Sequence, residues 1–440
     1  MTSLDGGFTP KMRALPGRRS SIVAALDIGT SKIACLIGRL RPGEGNDVLP
    51  GRSHSIEILG ASHVQARGIK AGAVVDLNEA EQAVRQAVAL AEQMAGVQLE
   101  SVVLTVSAGR MMSELFESAA DIPGGTITQA DINRLVHAGS QHAISEGRTI
   151  LHALPVSHNV DGVRGIRDPR GMVARHYGLD MNVVTIDATV AKNLMLVVER
   201  CHLAVEAMVA SPYAAALSVL VDDEPDLGAA IIELGAGTTT IAAYSGGKLV
   251  HACGFAVGGQ HVTMDIARGL RACIADAERI KTLYGTVLTG GSDSRDLLTV
   301  PNVGGQEDEP PQIVSRGTVT NIVRHRVEEI FEMARDRLAQ SPLASEPRAR
   351  VVLTGGASQM TGIADLAARI LKRDVRIGRP LGIARLPEQA KGPSFAALAG
   401  LLVYPQFAHL EHIEPRHTRH LMTGTNGYFG KVGRWLSESF

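Results

Sequence analysis

Two short stretches of the same design, about two hundred residues apart, restrict what this chain can fold into. In Ala24-Ala25-Leu26-Asp27-Ile28-Gly29-Thr30-Ser31-Lys32-Ile33 an apolar run ends in an acid, an apolar residue and a glycine. The same order returns in Ile231-Ile232-Glu233-Leu234-Gly235-Ala236-Gly237-Thr238-Thr239-Thr240-Ile241. Each reads as strand, tight turn, strand. Glycine lets the main chain approach an anion closely and aim its amides at it, so each turn can wrap phosphate oxygens. One such hairpin alone is equally an ordinary hairpin with a polar tip. Two of them imply two similar half-proteins facing one nucleotide.

The chain of 440 residues has room for roughly three domains. Aromatic residues make up only 3%, so the cores must be built from Ala, Val, Leu and Ile. A net charge of −1 gives no global pull toward nucleic acid. Cys35, Cys201, Cys253 and Cys273 form no C-x-x-C pair and read as buried thiols of a reducing compartment. No apolar run reaches the ~18–20 residues of a membrane span. Residues 1–20 lack the apolar centre of a secretory signal and are expected to be a disordered, mildly basic tail.

Between the two hairpins, Asp76 is placed to cap a helix over 77–95, followed by a strand over 102–107. Thr128 and Asp131 resemble a capping box opening a second helix. The stretch 149–159 is strand-like, with Pro155 arguing for an edge or a break. Segments 121–126 and 161–178 read as turn and loop, and 181–187 as a strand. The whole of 77–187 carries no phosphate motif and reads as an inserted α+β subdomain. After Ser211, Pro212 opens an alanine-rich helix to Leu220. Beyond the second hairpin, Gly258-Gly259 precedes a helix, a further place for phosphate contacts. Glu278 and Lys281 share a helix face, as a surface ion pair or as a pair reaching ribose hydroxyls. A long amphipathic helix is expected over 321–339. Leu353-Thr354-Gly355-Gly356-Ala357-Ser358 runs from a strand into a glycine turn that leaves room for a nucleobase, and 395–404 is a second small-residue helix.

These segments, at 27–32, 211–220, 233–240, 353–358 and 395–404, stand in the order of the five signatures of the actin, heat-shock-chaperone and sugar-kinase superfamily. Within it the chain resembles the FtsA family of bacterial cell-division proteins, through Leu26 to Lys32, Ala191-Lys192-Asn193-Leu194, Asp276-Ala277-Glu278-Arg279-Ile280-Lys281 and Arg326-Val327-Glu328-Glu329-Ile330-Phe331. The position of the insert matches that family too. The resemblance implies a duplicated, actin-like (ribonuclease-H-like) α/β fold with two lobes around a nucleotide cleft and an SHS2-type insert. Its subdomains would be 1A (21–76, 188–220 and 390–405), 1C (77–187), 2A (221–262 and 342–389) and 2B (263–341). It implies ATP and Mg²⁺ as cofactors, held by Asp27, Gly29, Thr30, Ser31, Lys32, Glu233, Gly235, Ala236, Gly237, Thr238, Thr239, Gly258, Gly259, Glu278, Lys281, Gly355, Gly356 and Ala357, with Asp27 and Glu233 reaching the metal through water. It implies self-assembly into filaments, FtsZ as a partner met around 322–339, later division proteins met through 1C, and a place at the septum on the cytoplasmic face of the inner membrane. The sequence departs from the pattern in two places. Glu233 stands where Asp is usual, with Ala236 in the turn, and Ser211 stands where several ATP-hydrolysing relatives have an acid. The expectation is therefore a nucleotide-gated scaffold with weak or no ATPase activity and no assignable catalytic residue. Competing readings are the pilus-assembly relative PilM, a sugar-kinase-type phosphotransferase, and a chaperone ATPase, for which too little chain follows the last helix to build a peptide-binding domain.

Residues 406–427 read as a linker whose histidines are solvated or, alternatively, a metal site. Residues 428–440 hold the only tryptophan. On a helix, Tyr428, Phe429, Val432, Trp435, Leu436 and Phe440 form one apolar face, flanked by Lys431 and Arg434. Such a short segment is too weak a helix in water and is expected to fold on a surface, either an anionic membrane or the protein's own core.

Overall fold

A computed structural model describes residues 7–12, 15, 19–43, 48–142, 145–166, 168–221, 223–290, 296–301 and 311–411. The first hairpin joins β1 (Ser21–Ile28) to β2 (Lys32–Pro42), with Asp27 opposite Ala34. β3 (His54–Gln65) completes an antiparallel trio, and a small hairpin, β4 (Ile69–Lys70) and β5 (Ala73–Val74), leads into α1 (Leu77–Ala95). Asp76 caps α1 as expected, accepting from the amides of Asn78 and Glu79 at 2.9 and 3.0 Å. β6 (Ser101–Val106) lies parallel beside β1.

The insert follows: β7 (Met112–Thr126), α2 (Gln129–His142), β8 (Arg148–Val160), β9 (Val163–Ile166) and β10 (Val173–Asp187), in the sheet order β7-β10-β8-β9. Its core is separate, built on residues such as Ile127, Ile132, Tyr177 and Leu179. It is narrower than the expected 77–187, because α1 packs its alanine and valine face on the first lobe and β6 is a central strand of that lobe's sheet. The expected turn at 121–126 lies in β7, and much of the expected loop at 161–178 is strand, with β8 turning into β9 at Asp161-Gly162, both at positive φ. Pro155 sits opposite Met181 beside a register shift between β8 and β10, and β9 pairs with β8 only from His158 onward, so no ladder runs on the β9 side of Pro155.

The chain returns through α3 (Ala188–Arg200), β11 (Ala204–Ala210) and α4 (Ser211–Val219). The second lobe takes α5 (Glu224–Leu227), β12 (Ala229–Leu234), β13 (Thr239–Ser245), β14 (Lys248–Phe255), α6 (Gly259–Gly269), α7 (Ile274–Tyr284), β15 (Leu297–Val300), β16 (Gln312–Ser315), α8 (Arg316–Ala339), β17 (Arg350–Thr354), α9 (Ile363–Leu371) and β18 (Val375–Ile377). β19 (Ile383–Ala384) and α10 (Ala396–Val403) belong again to the first lobe. The two main sheets share one plan. The first runs β11-β6-β1-β2-β3-β19 and the second β14-β13-β12-β17-β18: an antiparallel trio followed by two parallel strands. This is the duplication that the two hairpins announce. Between the lobes α4 and α10 cross so closely that a Cβ at Gly400 would stand 1.7 Å from the Ala214 carbonyl oxygen, which explains the small residues of both helices.

Both ends of the described chain differ from expectation. Residues 7–12 are ordered rather than a loose tail: Phe8 bridges to Ile150, Thr9 donates its amide to the Ile150 carbonyl at 3.0 Å, and Lys11 pairs with Glu411. Residues 406–411, expected in a linker, are packed, with Gln406 accepting from the amides of Ser53 and His54 and Glu411 buried between Lys11, His152 and Tyr404. A buried carboxylate with three partners of this kind is held in place rather than solvated. Cys273, expected buried, is exposed and caps α7. No helix among the described residues is long and apolar enough to cross a membrane. The expected amphipathic segment 428–440, with Phe429, Lys431, Val432, Arg434, Trp435, Leu436 and Phe440, lies outside the described residues, as do the histidines of the linker apart from His409.

Candidate nucleotide site between the two hairpins

The two turns are built alike. The Gly29 amide donates to the Lys32 carbonyl at 3.0 Å, and the Gly235 amide to the Thr238 carbonyl at 2.9 Å. A Cβ on either glycine would stand 2.8 Å from that same carbonyl oxygen, so each turn closes only around glycine. The turns touch: a Cβ on Gly237 would lie 2.5 Å from Thr30 Oγ1. Thr30 Oγ1 accepts from the Gly72 amide, and the Ser31 carbonyl accepts from the Ala66 amide, so the first turn is braced from behind.

An acid stands at the base of each turn. Asp27 accepts from Thr105, which the parallel β1–β6 register brings alongside it. Glu233 accepts at one oxygen, Oε2, from Ser211 Oγ at 2.5 Å and from Thr240 Oγ1 at 2.8 Å. Lys32 donates to the Ser394 carbonyl at 2.7 Å and lies 3.3 Å over the ring of Phe395. Burial pushes the Asp27 carboxyl up, against its hydrogen bond from Thr105 and the charge of Lys32. Burial likewise pushes Glu233 up to about 7, helped by Asp27 and opposed by Ser211, Thr240 and Lys32. Burial brings Lys32 down to about 8 against the pull of both acids. All three groups are thus short of charge partners and solvent. Bound phosphate and a divalent cation would supply both.

The remaining expected residues divide. Gly355, at φ +85, would clash with the Leu234 carbonyl if it carried a side chain, and only Ser394 Cβ lies near Gly356. Ala357 and Lys281 meet at Gly259: its Cβ would be 2.9 Å from that of Ala357 and 3.9 Å from Lys281 Nζ. Lys281 donates to the Gly259 carbonyl, Thr263 and Glu278, and Thr263 donates to Glu278, so Lys281 is tied to the start of α6 while the Glu278 side chain stays half exposed. Three of the expected residues, Gly258, Gly259 and Thr239, are engaged in hydrogen bonds within the fold. The Gly259 and Gln260 amides donate to the carbonyls of Gly235 and Ala236 at 2.9 and 2.7 Å, and the Gly258 amide to His261 Nδ1. The start of α6 therefore braces the second turn instead of offering free amides. Thr239 is fully buried and its hydroxyl donates to the Val257 carbonyl, whereas the neighbouring Thr238, also buried, supplies the carbonyl that closes the turn. Thr105 and Ser394 lie outside the five signature segments, whereas Thr240 and Phe395 fall within the signatures 233–240 and 395–404 without an expected role. For Thr105 the available signal is a lone threonine in the otherwise apolar run Val102-Val103-Leu104-Thr105-Val106.

Two lobes of one sheet plan, matched glycine turns and an acid on each side define an actin-like protein. Comparison of folds agrees. A PilM–PilN type IV pilus biogenesis complex matches with a TM-score of 0.61 at 16% identity, over 87% of this chain and 98% of that one. MreB 5 of Spiroplasma citri bound to AMPPNP matches with 0.53 at 14%, over 90% and 98%. By sequence, the profile "Cell division protein FtsA" matches residues 230–400, and "SHS2 domain inserted in FTSA" matches 109–185, close to the bounds of the insert seen here. The cell division protein FtsA of Agrobacterium fabrum is 46% identical over 98% of both chains, and that of Escherichia coli K12 is 31% identical over 95% of this chain and 98% of its own. This chain belongs to the FtsA family of cell-division proteins.

Proposed function

We propose that the cleft binds ATP with Mg²⁺ and that the chain, so loaded, assembles with its own copies and tethers FtsZ to the cytoplasmic face of the inner membrane at the septum. The observation that carries the nucleotide reading is the pair of matching turns, each with an acid at its base and with Lys32 between them. Asp27 and Glu233 are hard oxygen donors suited to Mg²⁺, which is commonly held by one or two carboxylates, water and phosphate oxygens. The ion would neutralise phosphate charge and favour the ionised form of both acids. Gly29 and Gly235 let the backbone close on phosphate oxygens, Lys32 and Lys281 supply cations, and Gly355, Gly356 and Ala357 leave room for the base. Fold relatives support this, since two MreB 5 structures hold ADP and AMPPNP. Ser211, committed to Glu233, is no general base for water, so slow turnover or none is expected.

Membrane attachment is assigned to 428–440, through Phe429, Val432, Trp435, Leu436 and Phe440 with Lys431 and Arg434 facing anionic lipid. One such helix binds weakly, and an assembly of many copies binds by avidity. The FtsZ contact is assigned to the region of α8, and contacts to later division proteins to the insert. Sedimentation with anionic vesicles, with and without ATP and FtsZ, tests the whole. Removal of 428–440 should abolish pelleting and FtsZ recruitment while a fluorescent ATP analogue still binds. Undiminished pelleting of the truncated chain would sink the membrane assignment.

A further inference from the structure

Away from the nucleotide cleft, a cavity of about 1290 Å³ opens where the insert, the first lobe and the second lobe meet. It exceeds the ~300–1,000 Å³ usual for a small ligand. Apolar side chains from all three units line it, among them Leu154 of β8, Leu249 of β14, Leu49, and Leu410 at the end of the described chain. Its polar groups are under-used. Arg52 donates only to the carbonyls of Leu217, Leu381 and Gly382, and burial brings it down to about 10 with no carboxylate opposing. The Tyr244 hydroxyl, also in the lining, is buried without a hydrogen-bond partner. Lys248 and Asp226 stand at the exposed rim.

The occupant is indicated by where the chain leads. Residues 407–410 are part of the cavity wall, and Glu411 is fixed by Lys11, His152 and Tyr404. The described chain therefore ends one residue beyond the cavity wall. Fully extended, 412–427 reaches roughly 50 Å, so the amphipathic segment has ample chain to turn back. Its charges can pair with those of the rim, Lys431 and Arg434 with Asp226 and Glu438 with Lys248. The geometry points to this cavity as an intramolecular dock for 428–440, holding in the unattached protein the same apolar face that would otherwise enter the membrane, in the manner of a helix laid in a groove. This rests on the membrane reading proposed above and adds a regulation to it. Docking and membrane insertion exclude each other, so attachment begins with release, and the cavity lowers the apparent membrane affinity of a lone copy.

Trp435, the only tryptophan, reports on this directly. In the full chain without lipid, acrylamide should quench it several-fold less than it quenches the isolated peptide 428–440, with bluer emission, and independently of protein concentration. Leu49→Glu and Leu410→Glu, made separately and checked for unchanged melting, should each restore peptide-like quenching and raise vesicle affinity about three- to tenfold. Peptide-like quenching in the unaltered chain overturns the dock and leaves the membrane reading standing. Protection that rises with protein concentration assigns the segment to a second copy and also overturns it. Protection that both variants leave intact places the segment elsewhere, with the same consequence. A protected Trp435 together with no vesicle binding by any variant keeps the dock and removes the membrane reading.

Discussion

The two hairpins share a backbone and differ in how each holds its acid. In the first lobe the hydroxyl comes from the parallel neighbour, Thr105 on β6, while the antiparallel neighbour opposite Asp27 is Ala34. In the second lobe the roles exchange. Thr354, on the parallel neighbour of Glu233, turns its hydroxyl to the carbonyls of Gly378 and Pro393, and the antiparallel Thr240 holds the acid together with Ser211. The longer glutamate reaches Ser211, the first residue of α4. The two departures from the family pattern are therefore one. With Glu at 233, an acid at 211 would set two carboxylates within hydrogen-bond distance in a desolvated site, where both cannot ionise. Serine converts that repulsion into a hydrogen bond.

The largest effect should come from undoing the exchange. Ser211→Asp is expected to destabilise the fold by about 3–5 kcal/mol at pH 8, as an uncompensated buried charge does. Adding Glu233→Gln should recover most of the loss. Urea denaturation of the two single variants and the double variant checks this, and strict additivity would break the coupling between positions 211 and 233. A smaller effect tests whether the turns are equivalent. Gly29→Ala and Gly235→Ala each place a methyl group 2.8 Å from a carbonyl oxygen, so each should lose about 1–3 kcal/mol and weaken binding of the ATP analogue. Losses differing by more than about 1 kcal/mol would show that one turn yields where the other does not.

What the sequence revealed follows from how local each feature is. The hairpins were legible because acid, glycine and strand lie within a few residues, and α1 because Asp76 marks its start. The strands at 121–126 and 163–178 were not legible, since their outward faces carry polar residues and their strand character comes from pairing within the insert's own sheet. The same holds at the site. Thr105 and Ser394 reach Asp27 and Lys32 through register and folding, 78 and 362 positions away. The ordered N-terminal arm escaped notice for that reason too, its buried partner Glu411 standing 400 positions along the chain.

The smallest effects set the single-donor acid against the double-donor one. Thr105→Ala strips Asp27 of its side-chain donor and should cost about 1–2 kcal/mol, whereas Ser211→Ala leaves Glu233 with Thr240 and should cost about 0.5–1 kcal/mol. Their pH dependence carries the comparison further. Glu233 rises from 4.5 in the unfolded chain to about 7 in the fold, so the native state holds its proton longer, and the contribution to stability is full below 4.5 and lost as pH climbs through about 7. Ser211 favours the ionised form, and its removal pushes Glu233 higher still. The deficit of Ser211→Ala relative to the unaltered chain should thus be slight and flat below about pH 6, where both native states hold the proton, grow as pH passes through about 7, and level off above the variant's own higher value. For Thr105→Ala the deficit should grow where the native Asp27 carboxyl, itself raised above 3.8, loses its proton. Chemical denaturation at several pH values separates the two curves. A Ser211→Ala deficit flat from about pH 6 to 9 would mean that the serine holds the backbone of α4 rather than the charge of Glu233.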